Sequence, residues 1–175
     1  MRYVALLRGI NVGRHRRISM SDLRRVFEDV GLEDVSTYLQ SGNVLFAGKG
    51  SAAPLASRLE RAIHAELVPG VSVLLRSRAE LAKIATSNPF AGHDTSKLHV
   101  TFLGKRPTAA RARTLDPELA APDEFRLHSR ELYLHYPKGY GRSKLTNAYF
   151  EKQLGVVATT RNWKTVTTLA ELAGD

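Results

Sequence analysis

Residues 35–46, VSTYLQSGNVLF, form two β-rich runs on either side of Ser41-Gly42. Glycine accepts the positive φ that a tight hairpin turn demands, so the stretch predicts two antiparallel strands joined at Ser41-Gly42. A two-residue turn sets Gln40 opposite Asn43 and Tyr38 opposite Leu45 on one face. Leu39, Val44 and Phe46 then fall on the other, core-facing side.

Upstream, Leu23, Val26, Phe27 and Val30 recur at helical spacing after Ser19, a candidate N-cap, and before Gly31, a candidate left-handed stop. The apolar run Tyr3 to Arg8 before them reads as a strand. Downstream, Leu55, Leu59, Ile63 and Leu67 form one stripe on a helix that Pro54 can begin and Pro69-Gly70 ends. VSVLLR, residues 71–76, supplies a fourth strand. The order is βαββαβ, a ferredoxin-like unit.

Ser77 and Glu80 make a capping box for a helix to about Ala85, and Asn88-Pro89-Phe90 turns the chain into a second round. Leu98 to Leu103 is a strand, a short helix follows Pro107, and residues 125–136 form another hairpin. Helices are predicted over Lys144 to Leu154 and Asn162 to Ala173. The fold class is therefore α+β: two ferredoxin-like (βαββαβ) halves with antiparallel sheets, plus C-terminal helices. The halves are set at 1–77 and 98–175, with 78–97 as a linking helix and turn.

The 175 residues carry 26 Lys and Arg against 17 Asp and Glu, a net +9, with 43% hydrophobic and 25% charged residues. That composition folds, and its charge favours nucleic acid, phosphorylated ligands or anionic surfaces. A bias in base composition toward arginine and alanine yields the same charge without any partner. Without cysteine, disulfides, thiolate zinc sites and catalytic thiols are excluded, and a reducing cytoplasm is the expected compartment. The apolar run before Arg8 is too short for a signal peptide or a membrane span, so no membrane association is expected.

ALLRGINVG (5–13), TYLQSGNVLF (37–46), SNPF (87–90), LYLHYPKGYGRSKLT (132–146) and TTRNWKTV (159–166) together closely resemble the family catalogued as domain of unknown function 1697. The resemblance runs nearly end to end and implies a cytoplasmic bacterial protein of two ferredoxin-like halves, with no reaction to carry over. Arg14 departs from the family, which usually has a second glycine after Gly13.

No Walker, GxGxxG, GxSxG or HExxH signature is present. His99, His128 and His135 lie on predicted strands without compact ligand spacing, so neither a metal site nor a cofactor is expected. Three cationic stretches precede predicted helices. GINVGRHRR (9–17) has two glycines, Asn11 and three arginines. PKGYGRSK (137–144) has Ser143 as candidate N-cap with Lys138, Arg142 and Lys144. TTRNWK (159–164) places Arg161 and Lys164 at a helix start, where the macrodipole disfavours cations unless an anion binds. Trp163 lies on that helix's apolar stripe and reads as a packing residue.

The expected function is binding of an anionic ligand, a nucleotide or RNA, in a basic cleft between the halves. Arg8, Lys144, Arg161 and Lys164 supply charge; Asn11, Gln40, Asn43 and Asn162, with Ser41 and Ser143, supply hydrogen bonds; Gly13, Gly42 and Gly141 allow close backbone approach. The alternatives are an enzyme acting on a phosphorylated or carboxylated small molecule, with His15 the titratable candidate near neutral pH, and an oligomer-forming or partner-docking protein. Catalytic residues and oligomeric state are not specified by the sequence.

Overall fold

Alternation along β1 (Arg2–Arg8) organises the first half. Tyr3, Ala5 and Leu7 share one face because strand side chains alternate, and they join Val44, Phe46, Val73 and Leu75 in a buried cluster. In the computed structural model, which describes residues 1–175, β1 pairs with β3 (Asn43–Ala47) and β4 (Ser72–Ser77), and β2 (Glu33–Tyr38) pairs with β3. The sheet is antiparallel throughout, in the order β2-β3-β1-β4.

Two helices supply the other side of that cluster. α1 (Met20–Asp29) buries Leu23, Val26 and Phe27, and Ser19 Oγ accepts from the Asp22 N–H at 3.1 Å as its N-cap. α2 (Ala52–Glu66) buries Leu55, Leu59 and Ile63. The face of the sheet carrying Val4, Leu6, Leu45 and Leu74 is buried as well. It is therefore not the open stacking surface that an RNA-recognition module presents.

The hairpin differs from its expected form. Tyr38 pairs with Asn43 and Thr37 with Val44, so the turn is the four residues Leu39 to Gly42 rather than Ser41-Gly42 alone. Leu39 has φ 59° and is 53% exposed, so it leaves the core assigned to it. A four-residue connection shifts each pairing by two residues, which keeps Tyr38, Asn43 and Leu45 on one face, and removes Gln40 from the ladder.

α3 (Arg78–Thr86) begins with the predicted capping box: Glu80 accepts from the Ser77 N–H at 2.8 Å, and Ser77 Oγ from the Glu80 N–H at 3.2 Å. The second half then repeats the topology. β5 (Leu98–Leu103), α4 (Ala109–Ala112), β6 (Glu124–His128), β7 (Glu131–His135), α5 (Asn147–Leu154) and β8 (Ala158–Asn162) give an antiparallel sheet in the order β6-β7-β5-β8. Its helix-covered face buries Leu103, Leu132, Leu134, Phe150, Leu154 and Ala158. α6 (Trp163–Gly174) follows.

β8 is the element missed in the sequence, where residues 159–162 read as the start of a helix. Its five residues, ATTRN, carry little apolar alternation, and pairing with β5 sets them as a strand. α5 also starts later than expected. Thr146, not Ser143, is its N-cap, accepting from the Tyr149 N–H at 3.1 Å.

The chain is thus α+β, built of two ferredoxin-like halves with a C-terminal helix. It divides into two units, Met1–Lys83 with Leu169–Asp175, and Ile84–Thr168. No helix is long and apolar enough to cross a membrane.

Candidate functional site

In the first unit the motif residues are tied to each other. Asn11, at φ 52°, accepts from the Ile18 N–H at 2.8 Å, and its Nδ2 donates to Ile18 O at 3.1 Å and Gln40 O at 2.7 Å. One side chain therefore closes the loop after β1 and ties it to the β2–β3 turn. Asn43 is fully buried, and its Nδ2 donates to Tyr38 O at 2.8 Å and Ser41 Oγ at 3.0 Å. Gly42 has φ 85°, and a Cβ there would lie 2.6 Å from Ile10 Cδ1. The close approach this glycine permits is to the protein's own core. Gly13 needs its φ of 60° but has nothing within 4 Å of a Cβ position, and Arg14 and His15 beside it are exposed.

In the second unit Arg161 is not part of a helix start. It sits on β8, is 7% exposed, and its guanidinium donates to Thr159 Oγ1 at 2.7 Å and Thr160 O at 3.0 Å. Burial pushes its pKa down to about 10, partly offset by Tyr140. The pair of cations expected at the start of this helix thus reduces to one residue, Lys164. Asn162 caps α6, its Oδ1 accepting from the Thr165 N–H at 2.8 Å.

Asn162 and Lys164 line one pocket of about 590 Å³ together with Thr95, Ser96, His99, Trp163 and Thr167. His99 pairs across the ladder with Asn162, which is why strand pairing brings the two together. The His99 ring stacks on Tyr140 at 4.9 Å with 17° between planes, and meets Tyr136 edge-on at 5.1 Å. Its Nδ1 is buried without a hydrogen-bond partner. A proton on Nδ1 would have no acceptor, so the neutral tautomer carries its hydrogen on Nε2. Burial correspondingly holds the His99 pKa below 6.5. Trp163, half-buried, faces this pocket rather than serving only as packing.

Ser143 and Lys144 line a second pocket of about 430 Å³, with Lys138, Gly139 and Arg142. Ser143 Oγ accepts from the Leu145 N–H at 3.1 Å, and the glycine with positive φ is Gly139, at 94°, rather than Gly141. Gly141 has open space around it. The strand histidines do not converge. His99 shares the helix-covered face with Leu134, His135 shares the other with Leu98, and His128 is exposed.

His99 was present in the sequence as one of three strand histidines. Its pocket was hidden because β8, which sets Asn162 beside it, was not recognised. The signal was the Thr-Thr pair at 159–160, whose β-branched side chains favour a strand.

The sequence has no match among curated proteins. The structure is similar to that of a conserved bacterial protein from Streptococcus pneumoniae, with a TM-score of 0.72, 23% identity and 98% of each chain covered. At that identity the likeness concerns the fold. Residues 1–133 match the family described as protein of unknown function, DUF1697, and the chain belongs to that family.

Proposed function

We propose that the chain binds a small anionic ligand with a flat ring, of the mononucleotide class, in the pocket lined by His99, Asn162, Trp163 and Lys164. The observation that carries this reading is the combination in one pocket of about 590 Å³ of an aromatic wall, an uncharged histidine and a lysine without an ion pair. That volume lies in the range of small-molecule sites. Trp163 offers a stacking surface, Lys164 a charge, and Asn162 Nδ2 and His99 Nε2 hydrogen-bond donors. Burial of both faces of the first sheet favours a mononucleotide over an RNA strand.

Calorimetric titration with a purine mononucleotide, its nucleoside, inorganic phosphate and mixed RNA across a salt series tests the reading. The mononucleotide is expected to bind most tightly, to weaken with salt, and to lose about tenfold in affinity with Trp163→Ala. No binding of any of them at low salt would refute it.

A second reading, an enzyme acting on a phosphorylated small molecule at this pocket, draws on His99. Neutral His99, with its hydrogen on Nε2, can donate a hydrogen bond to a phosphoryl oxygen as charge develops there, whereas the loop histidine His15 was the titratable candidate expected from the sequence. Release of inorganic phosphate from a phosphomonoester, lowered in His99→Phe, distinguishes turnover from binding alone.

A further inference from the structure

We propose that the cleft beneath the 137–144 loop is a phosphate site, separate from the pocket above and sharing no lining residue with it. Lys138, Arg142 and Lys144 all line this cleft of about 430 Å³, and Asp123 is its single acidic residue. None of the three cations makes an ion pair, although the protein forms such pairs elsewhere, as between Arg24 and Glu28 at 2.7 Å. Three unpaired positive charges around one concavity repel one another, and a bound anion relieves that repulsion.

The cradle is preorganised. Tyr136, fully buried, donates from its hydroxyl to Leu145 O at 3.0 Å and accepts the Gly139 N–H at 2.9 Å, so one side chain and its backbone pin both ends of the loop. Gly139, at φ 94°, makes the turn that brings Lys138 and Arg142 to the same cleft. A loop already held in place loses little entropy on binding. Arg142 supplies a planar fork for two phosphate oxygens, and the two lysines supply point charges suited to a dianion rather than a monovalent carboxylate. The ligand class is therefore inorganic phosphate or the phosphomonoester end of a small molecule.

The test is amide NMR of the full chain at low ionic strength, titrated with sodium phosphate, glycerol phosphate, acetate and chloride. Phosphate is expected to give saturable shifts over residues 138–144, with acetate and chloride giving weak, linear ones. If glycerol phosphate binds more tightly than phosphate, the site takes a phosphomonoester; if less tightly, free phosphate. The combined variant K138Q, R142Q and K144Q is expected to weaken phosphate binding by about 100-fold or more, and K105Q with R106Q, an exposed basic pair elsewhere, to leave it unchanged. Equal shifts for phosphate and chloride, or wild-type affinity in the combined variant, would overturn the proposal. Loss of phosphate binding in Trp163→Ala but not in the combined variant would also overturn it and assign the anion to the His99 pocket, leaving the proposed function intact.

Discussion

Replacing Gly42 by alanine tests whether the SGN turn is there for the fold. Gly42 lies at φ 85°, where a side chain costs about 1 kcal/mol or more. The added Cβ would sit 2.6 Å from Ile10 Cδ1, 2.9 Å from Leu7 Cβ and 3.0 Å from Ile10 Cγ1. Ile10 can rotate its terminal methyl away, but Leu7 cannot yield in the same manner. Its Cβ is fixed to β1, and the Leu7 N–H donates to Gly42 O at 2.9 Å, so retreat breaks that bond. Overpacking of this kind costs about 1–3 kcal/mol. Together the two effects predict a loss of roughly 2–4 kcal/mol. Urea denaturation followed by circular dichroism measures it, with two internal controls. Gly13→Ala carries only the backbone cost, since nothing lies within 4 Å, and should lose about 1 kcal/mol. Gly141→Ala, with ordinary φ and open surroundings, should be close to neutral. If Gly42→Ala loses no more than Gly13→Ala, the packing argument fails.

Asn11→Ala removes three hydrogen bonds that close two loops, and should cost about 2–3 kcal/mol in the same assay without changing ligand affinity. Arg161→Met leaves the buried Thr159 Oγ1 without its donor, and should lose about 1–3 kcal/mol while the salt dependence of mononucleotide binding stays as in the wild type. Burial lowers the His99 pKa from 6.5, so between that value and the folded one the unfolded chain holds a proton that the folded chain rejects. Stability therefore rises with pH through that window and falls as pH drops below 6.5. Unfolding at pH 5 and pH 7 should show this loss in the wild type and a smaller one in His99→Phe, which keeps the stack on Tyr140.

The first half was legible because its local signals agree. The apolar stripes of α1 and α2, the Ser19 cap, the Ser77–Glu80 box and the alternation of β1 all act over a few residues, and each appears in the structure. The site was less legible. Asn11, Gln40, Gly42 and Asn43 were read as ligand contacts because Asn and Gly beside a turn look alike whether they hold a ligand or the chain. Here Asn11 and Asn43 spend their amides on backbone and side-chain oxygens of neighbouring loops, and Gly42 makes room for Ile10. Ser143 and Lys144 were identified with their loop, but as a helix start that lies three residues further on.

What the sequence determined alone is the βαββαβ order, the family and the presence of three cationic loops, because periodicity, caps and turn residues are set by near neighbours. What the tertiary structure decided is where those cations go. Pairing of β8 with β5 buries Arg161 and places Asn162 beside His99. The Tyr136 anchor holds Lys138, Arg142 and Lys144 around one cleft. The first of these outcomes depends on strands 59 residues apart in the chain, as the Thr101–Thr160 hydroxyl contact at 2.6 Å shows. Pairing at that range follows from which faces the whole sheet can bury, and no local window of sequence carries that information.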